Sequence, residues 1–144
     1  MESLIYNSAW YGFLSGNIAT KASTINCMLV GPGYFPNKRT HSRRSHVLSE
    51  IRGSGYTAGG MLVSASVEIT QASDTIYLVL GDALWQKSTL TANGAVYFNS
   101  RGGAAADDEL IAFIAFKEKM ASINGDLLLS GVRVWVNNSE NLIA

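Results

Sequence analysis

Short runs of β-favouring residues, cut by turn residues at close intervals, constrain this chain more than any other feature. The cuts fall at Ala58-Gly59-Gly60, Gly81-Asp82, Asn93-Gly94, Arg101-Gly102-Gly103 and Asn124-Gly125. Asn-Gly pairs supply the positive φ that tight turns demand. Thr24–Val30 reads as a strand ended by Gly31-Pro32-Gly33. Met61, Val63, Ala65, Val67 and Ile69 alternate with Ser64, Ser66, Glu68 and Thr70, which predicts a strand with one face buried and one polar. Thr75–Leu80 and Leu110–Phe116 are continuous apolar runs, Ala95–Phe98 is a short strand, and Leu127–Leu129 and Val132–Val136 are the last pieces. In the final run Val132, Val134 and Val136 share one face, opposite Arg133 and Trp135. The exception is Ser3–Ser15, where Ile5, Ala9 and Phe13 recur at helical spacing with Tyr6, Trp10 and Leu14, and Gly16 follows as a stop. The pattern predicts an all-β fold, an antiparallel β-sandwich of jelly-roll type with a short N-terminal helix. Residues 1–144 read as one domain, with a helical segment at 1–16 and a long loop region at 31–58.

A chain of 144 residues buries roughly 68–70% of its unfolded surface, enough for a core without staples. Only 15% of the residues are charged, against about 25% in ordinary soluble domains. The surface must therefore present Ser, Thr, Asn and Gly, or lie partly against a partner. A formal net charge of zero forgoes the self-repulsion that keeps copies apart in solution, and suits a component of a larger assembly. The lone Cys27 excludes an internal disulfide framework and a Cys-rich zinc site, and its apolar neighbours predict a buried thiol. No apolar run approaches a membrane span, and the start lacks a signal-peptide pattern, so folding in a cytoplasm is expected.

Gly53-Ser-Gly55-Tyr-Thr-Ala58 fits a dinucleotide fingerprint in letters, but a polar segment precedes it and a strand follows, so a mobile loop is the expectation. His41 and His46 stand in a loop whose Arg39, Arg43 and Arg44 would repel a metal ion. Asp107-Asp108-Glu109 reads as a solvated turn or a docking point for a partner's Arg or Lys. No nucleophile elbow is present, and no catalytic residue, cofactor or metal is expected. Lys38-Arg39, Arg43-Arg44 and Arg52 form the one marked charge asymmetry. With Tyr34 and Phe35 beside it, the cluster has the aromatic and Arg composition of a protein interface, and the neutral whole argues against nucleic acid. Trp10, Tyr11, Phe13, Trp85 and Trp135 could line a sugar platform but are expected in the core. Asn137-Asn-Ser139 matches a glycosylation sequon that carries no weight without a signal peptide.

Taken in order, Tyr6…Phe13-Leu-Ser-Gly16-Asn-Ile18, Leu29-Val30, Tyr34-x-Pro36-Asn37-x-x-Thr40-His41, Leu48-Ser-Glu-Ile51 and Gly59-Gly60 form a recognisable series. It continues through Gly94-Ala-Val96-Tyr97, Asp108-Glu-Leu110-Ile-Ala-Phe113 and Asn124-Gly125-Asp126. The series resembles small virion structural proteins of tailed bacteriophages, several of them capsid decoration or cement proteins. The basic stretch Lys38–Arg52 departs from the milder sequence expected after Thr40-His41. The resemblance implies a non-enzymatic protein on the virion surface, bound to the major capsid protein and forming a homo-oligomer, a dimer or trimer. Expected shell contacts are Tyr34, Phe35, Lys38, Arg39, Arg43 and Arg44, with Trp10 and Tyr11 for self-association. The alternatives are a tail or head–tail connector component and a carbohydrate-binding module.

Overall fold

The computed structural model describes residues 2–19 and 24–137. Its strands are β1 (Leu4–Ile5), β2 (Ile25–Val30), β3 (Met61–Leu62), β4 (Ala65–Thr70), β5 (Thr75–Leu80), β6 (Ala83–Asn99), β7 (Glu109–Leu129) and β8 (Val132–Asn137). Among the described residues the one α-helix, α1 (Asn7–Ser15), lies between β1 and β2. All pairings between these strands are antiparallel, in one sheet of order β1-β7-β6-β2-β3 and one of order β4-β5-β8. The all-β class with a short N-terminal helix is as expected. The strand orders give a five-plus-three arrangement built around a long β6–β7 hairpin, and they do not by themselves make it a jelly roll.

The helix is shorter than its apolar spacing predicts. Leu4 and Ile5 are extended and pair with Phe113 and Ala112 of β7, because the β7 edge offers backbone partners that a first helical turn would forgo. Gly16 ends the helix in the left-handed region, φ 81°, as its position predicts.

Two Asn-Gly pairs read as turns lie inside strands instead. Gly94 sits within β6 opposite Ala115, where a Cβ would come 2.8 Å from Phe113 Cε1 and 2.9 Å from the Ile114 carbonyl oxygen. That glycine serves close strand approach, not a turn. Asn124 takes φ 47° and Lys87 φ 50° at neighbouring irregularities where the β6–β7 register shifts. Bulges of this kind bend and twist a long hairpin. Ser88 and Ser122 satisfy groups that the broken ladder strands: their hydroxyls bond each other at 2.7 Å, Ser88 Oγ donates to the Trp85 and Gly125 carbonyls, and Leu90 N–H donates to Ser122 Oγ.

The alternating stretch Met61–Ile69 also breaks. At Val63 the chain leaves the β2 edge, with a last bond from Val63 N–H to the Ile25 carbonyl, and β4 joins the small sheet. The expected buried face does not form there: Val67 is 52% and Ile69 69% exposed. Along β5 exposure rises from Leu80 at 1% through Leu78 at 9% to Ile76 at 38%, so the small sheet leaves the core towards that end.

The larger sheet is buried on both faces. One face gives Ile25, Cys27, Leu29, Tyr97 and Ile111 to a core shared with Leu78, Leu80 and Val132 of the small sheet and Ala9 of α1. Burial pushes the Cys27 thiol up to about 12, against the weaker opposite effect of the Tyr97 hydroxyl, so it stays protonated. The other face gives Met28, Val30, Val96, Phe98, Leu110 and Phe113 to a second cluster with Tyr6 and Tyr34, and Val47 packs against it. The long loop therefore roofs the sheet.

Candidate interaction surface

Tyr34 roots the loop, and its predicted place at an interface is corrected by its burial at 3% exposure. Its ring meets Phe113 edge-on at 5.8 Å and stacks on His41 at 5.6 Å. The Tyr6 and Tyr34 hydroxyls are 2.7 Å apart, and Tyr34 Oη is 3.0 Å from His41 Nδ1. Asn37 N–H also donates to that Nδ1, so it is an acceptor, and the proton order runs Tyr6 to Tyr34 to His41. Burial, then its bond to Tyr34, raises the Tyr6 phenol; burial and the neighbouring His46 lower His41. His46 Nδ1 accepts the Ser42 and Arg43 N–H groups. Both imidazoles thus carry their proton on Nε2 and have no lone pair left for a metal. Among the described residues no group of three His, Cys, Asp or Glu could hold one.

Asp107 of the acidic run is exposed, as a solvated turn would have it, but Asp108 and Glu109 form an internal anchor. Asp108, 1% exposed, accepts from Arg44 Nε at 2.8 Å and from Arg101 N–H at 2.8 Å. Arg44 also lies over the Phe98 ring, 5.1 Å from its centre. Glu109 receives a two-pronged contact from Arg101, at 3.0 and 2.6 Å, a bond from Asn99, and the Arg43 guanidinium at 3.9 Å. Burial works to raise Glu109, and the Arg101 and Asn99 bonds outweigh it, holding the carboxyl below its ordinary range. Arg44 is thereby withdrawn from the expected shell contact, and Arg43 is half committed. The Gly53–Ala58 segment is also tied down: Ser54 bridges to Thr89, and the Tyr56 hydroxyl donates to Glu50 while accepting Leu29 N–H.

The residues between these anchors remain open. Asn37 Oδ1 accepts the N–H groups of Arg39 and Thr40, and its carbonyl accepts His41 N–H, closing a turn that holds Lys38 and Arg39 outwards. Phe35 beside them is 70% exposed. Among the described residues Lys38, Arg39 and Arg52 make no ion pair. A depression bounded by Glu2, Ser3, Leu4, Pro36 and Asn37 runs from this tip. It continues past Lys38 into a groove of about 760 Å³ lined by Ile5, Trp10, Ile114 and β8. A narrower apolar cleft of about 180 Å³ opens beyond it between Trp10 and Phe13 of α1 and Val67, Ile76, Val134 and Val136. Trp10 is on this wall, while Tyr11 points to a separate hollow with Asn17, Arg43 and Glu109.

Trp85 is in the core, whereas Trp135 lies exposed on the outer face of the small sheet beside Tyr77. The sequon at Asn137 extends into residues outside those described. No helix among the described residues is long and apolar enough to cross a membrane. The chain matches no protein-family model, no curated protein and no solved structure.

Proposed function

We propose that this protein is a structural component of a tailed-phage virion, a cement or decoration protein that binds the major capsid protein of the expanded head. The observation that carries the reading is a basic, aromatic tip, Phe35 to Arg39, held outwards by a buried root and continuous with an apolar groove. A tip fixed before contact loses little conformational entropy on binding, which suits many weak identical sites on a lattice. Low charge and a neutral balance support packing among neighbours. By binding the expanded shell and not its precursor, such a protein adds its binding free energy to the expanded state. The contact set is Phe35, Lys38 and Arg39, since Tyr34 and Arg44 serve the fold.

The test is electron cryo-microscopy of the protein mixed with expanded, DNA-free shells and with tails of the phage that encodes it. Regular density on the shell lattice is expected, lost in the Lys38→Glu/Arg39→Glu variant. Density confined to one vertex or to the tail gives the connector reading, and binding to neither overturns a virion role.

A further inference from the structure

The outer face of the small sheet sets an open indole at the end of a row that runs straight across its three strands. Tyr77 of β5 pairs in register with Trp135 of β8 on one side and with Glu68 of β4 on the other. The two rings lie 6.2 Å apart and 52° out of parallel. Cross-strand packing accounts for that contact, and Arg133 lies over the Tyr77 ring, 5.0 Å from its centre. No cation among the described residues lies over Trp135, which is 59% exposed.

What surrounds the indole is polar. Alternation along β4 puts Ser66 and Thr70 on the same face as Glu68, and the half-buried Val79 is the one aliphatic side chain there. The opposite face of these strands is aliphatic, with Val67, Ile69, Ile76 and Val134. The core of a protein interface is apolar and depleted in charge, whereas here an ion pair stands beside the rings. Arg133 and Glu68, each half exposed, meet at 3.4 Å. Their bond uses one of five guanidinium donors and one carboxylate oxygen, so the pair still offers both a donor and an acceptor. Because the two charges cancel, a neutral ligand is favoured.

A sugar has that chemistry. A pyranose with all its hydroxyls equatorial shows only C–H groups on its two ring faces and hydroxyls around its rim. The C–H groups suit the negative face of an indole. Neighbouring hydroxyls, each both donor and acceptor, suit a carboxylate beside a guanidinium. The row from Trp135 across Tyr77 to Glu68 spans two strand spacings, roughly 10 Å, which is room for two such rings rather than one.

We propose that this face binds glycans built of β-linked glucose-type rings: one ring stacks on Trp135, and hydroxyls of the next bridge Glu68 and Arg133.

Heteronuclear NMR of the full chain reads this directly, because Trp10, Trp85 and Trp135 each give one indole N–H signal. Cellobiose should shift the Trp135 signal saturably, with half-saturation on the order of 1–10 mM for so open a site. The signal of the buried Trp85 should stay in place. Sorbitol, which offers hydroxyls without a ring face, should shift neither. Trp135→Ala should abolish the cellobiose response of the Tyr77 and Arg133 backbone signals. Glu68→Ala should weaken binding about tenfold or more. Both substitutions fall on exposed side chains, and circular dichroism reports the fold of each variant. No saturable shift by about 100 mM cellobiose overturns the inference. So does a shift centred on Trp10, an equal response to sorbitol, or binding that either substitution leaves unchanged. No shell enters the measurement, so its result is separate from that of the capsid reading.

Discussion

At the scale of single residues, charge and protonation decide what the loop can do. Asp108 is fully enclosed and holds both Arg44 and the Arg101 backbone, so Asp108→Ala leaves a guanidinium over Phe98 with no counter-charge. A loss of about 3–5 kcal/mol in urea unfolding is expected, larger than for Lys38→Ala at the open tip. His41 gives a distinct pH signature. Its folded pKa lies below the free value of 6.5, so the unfolded chain binds the proton more readily. Its contribution is whole above pH 6.5 and is lost as pH falls through that value towards the folded one. Protonation at Nδ1 would turn an acceptor of the Asn37 N–H into a donor facing it. The protection of residues 37–46 against amide exchange, measured relative to the intrinsic rate at each pH, should fall between pH 7.5 and 5.5, and His41→Gln should flatten that change. The Glu109 carboxylate acts lower: its stabilisation is present above 4.5 and fades as pH drops through its depressed folded value.

At the scale of elements, two long bent strands carry the fold, and their bends mark where sequence reading failed. Gly94→Ala tests this: its new methyl would press on Phe113 and the Ile114 carbonyl, at a cost of about 1–3 kcal/mol in thermal or urea unfolding. A tight turn at that site would instead tolerate Ala poorly through φ, yet Gly94 is not in the left-handed region. Strand identity at Thr75–Leu80 and Val132–Val136 was legible because neighbouring strands complete a simple ladder there. Ala95–Phe98 and Leu110–Phe116 were recognised only as fragments of β6 and β7, because Asn-Gly serves both turns and bulges and nothing local distinguishes them. The pattern from Met61 to Ile69 misled for another reason. Alternation shows that one face is apolar, not that anything covers it, and here the small sheet extends beyond its partner. The candidate site was half legible for the same cause: Phe35, Lys38 and Arg39 are exposed, but the acids that claim Arg43 and Arg44 lie more than sixty residues away in sequence. Asn37, which sets the tip, had a visible signal in its Asx-turn chemistry.

At the scale of the whole molecule, fixed and open surfaces are divided cleanly, and the division separates loss of binding from loss of fold. The roof over the larger sheet is rooted in Tyr6, Tyr34 and Phe113, while Phe35, next to Tyr34 in the chain, faces solvent. Phe35→Ala should therefore leave thermal stability within about 0.5 kcal/mol, since an exposed side chain has little to lose on folding. Tyr34→Phe should do the reverse. It removes the donor to His41 and the acceptor of Tyr6, leaving the Tyr6 hydroxyl buried without its partner, at a cost of about 1–3 kcal/mol. If the tip is a contact surface, Phe35→Ala and Lys38→Glu/Arg39→Glu should empty partner sites at full stability. Tyr34→Phe should keep occupancy at temperatures where it stays folded. Melting curves and shell sedimentation on the same samples would read both quantities. Should Tyr34→Phe empty the sites while folded and Phe35→Ala leave them filled, the contact would run through the roof itself, and the tip would be excluded.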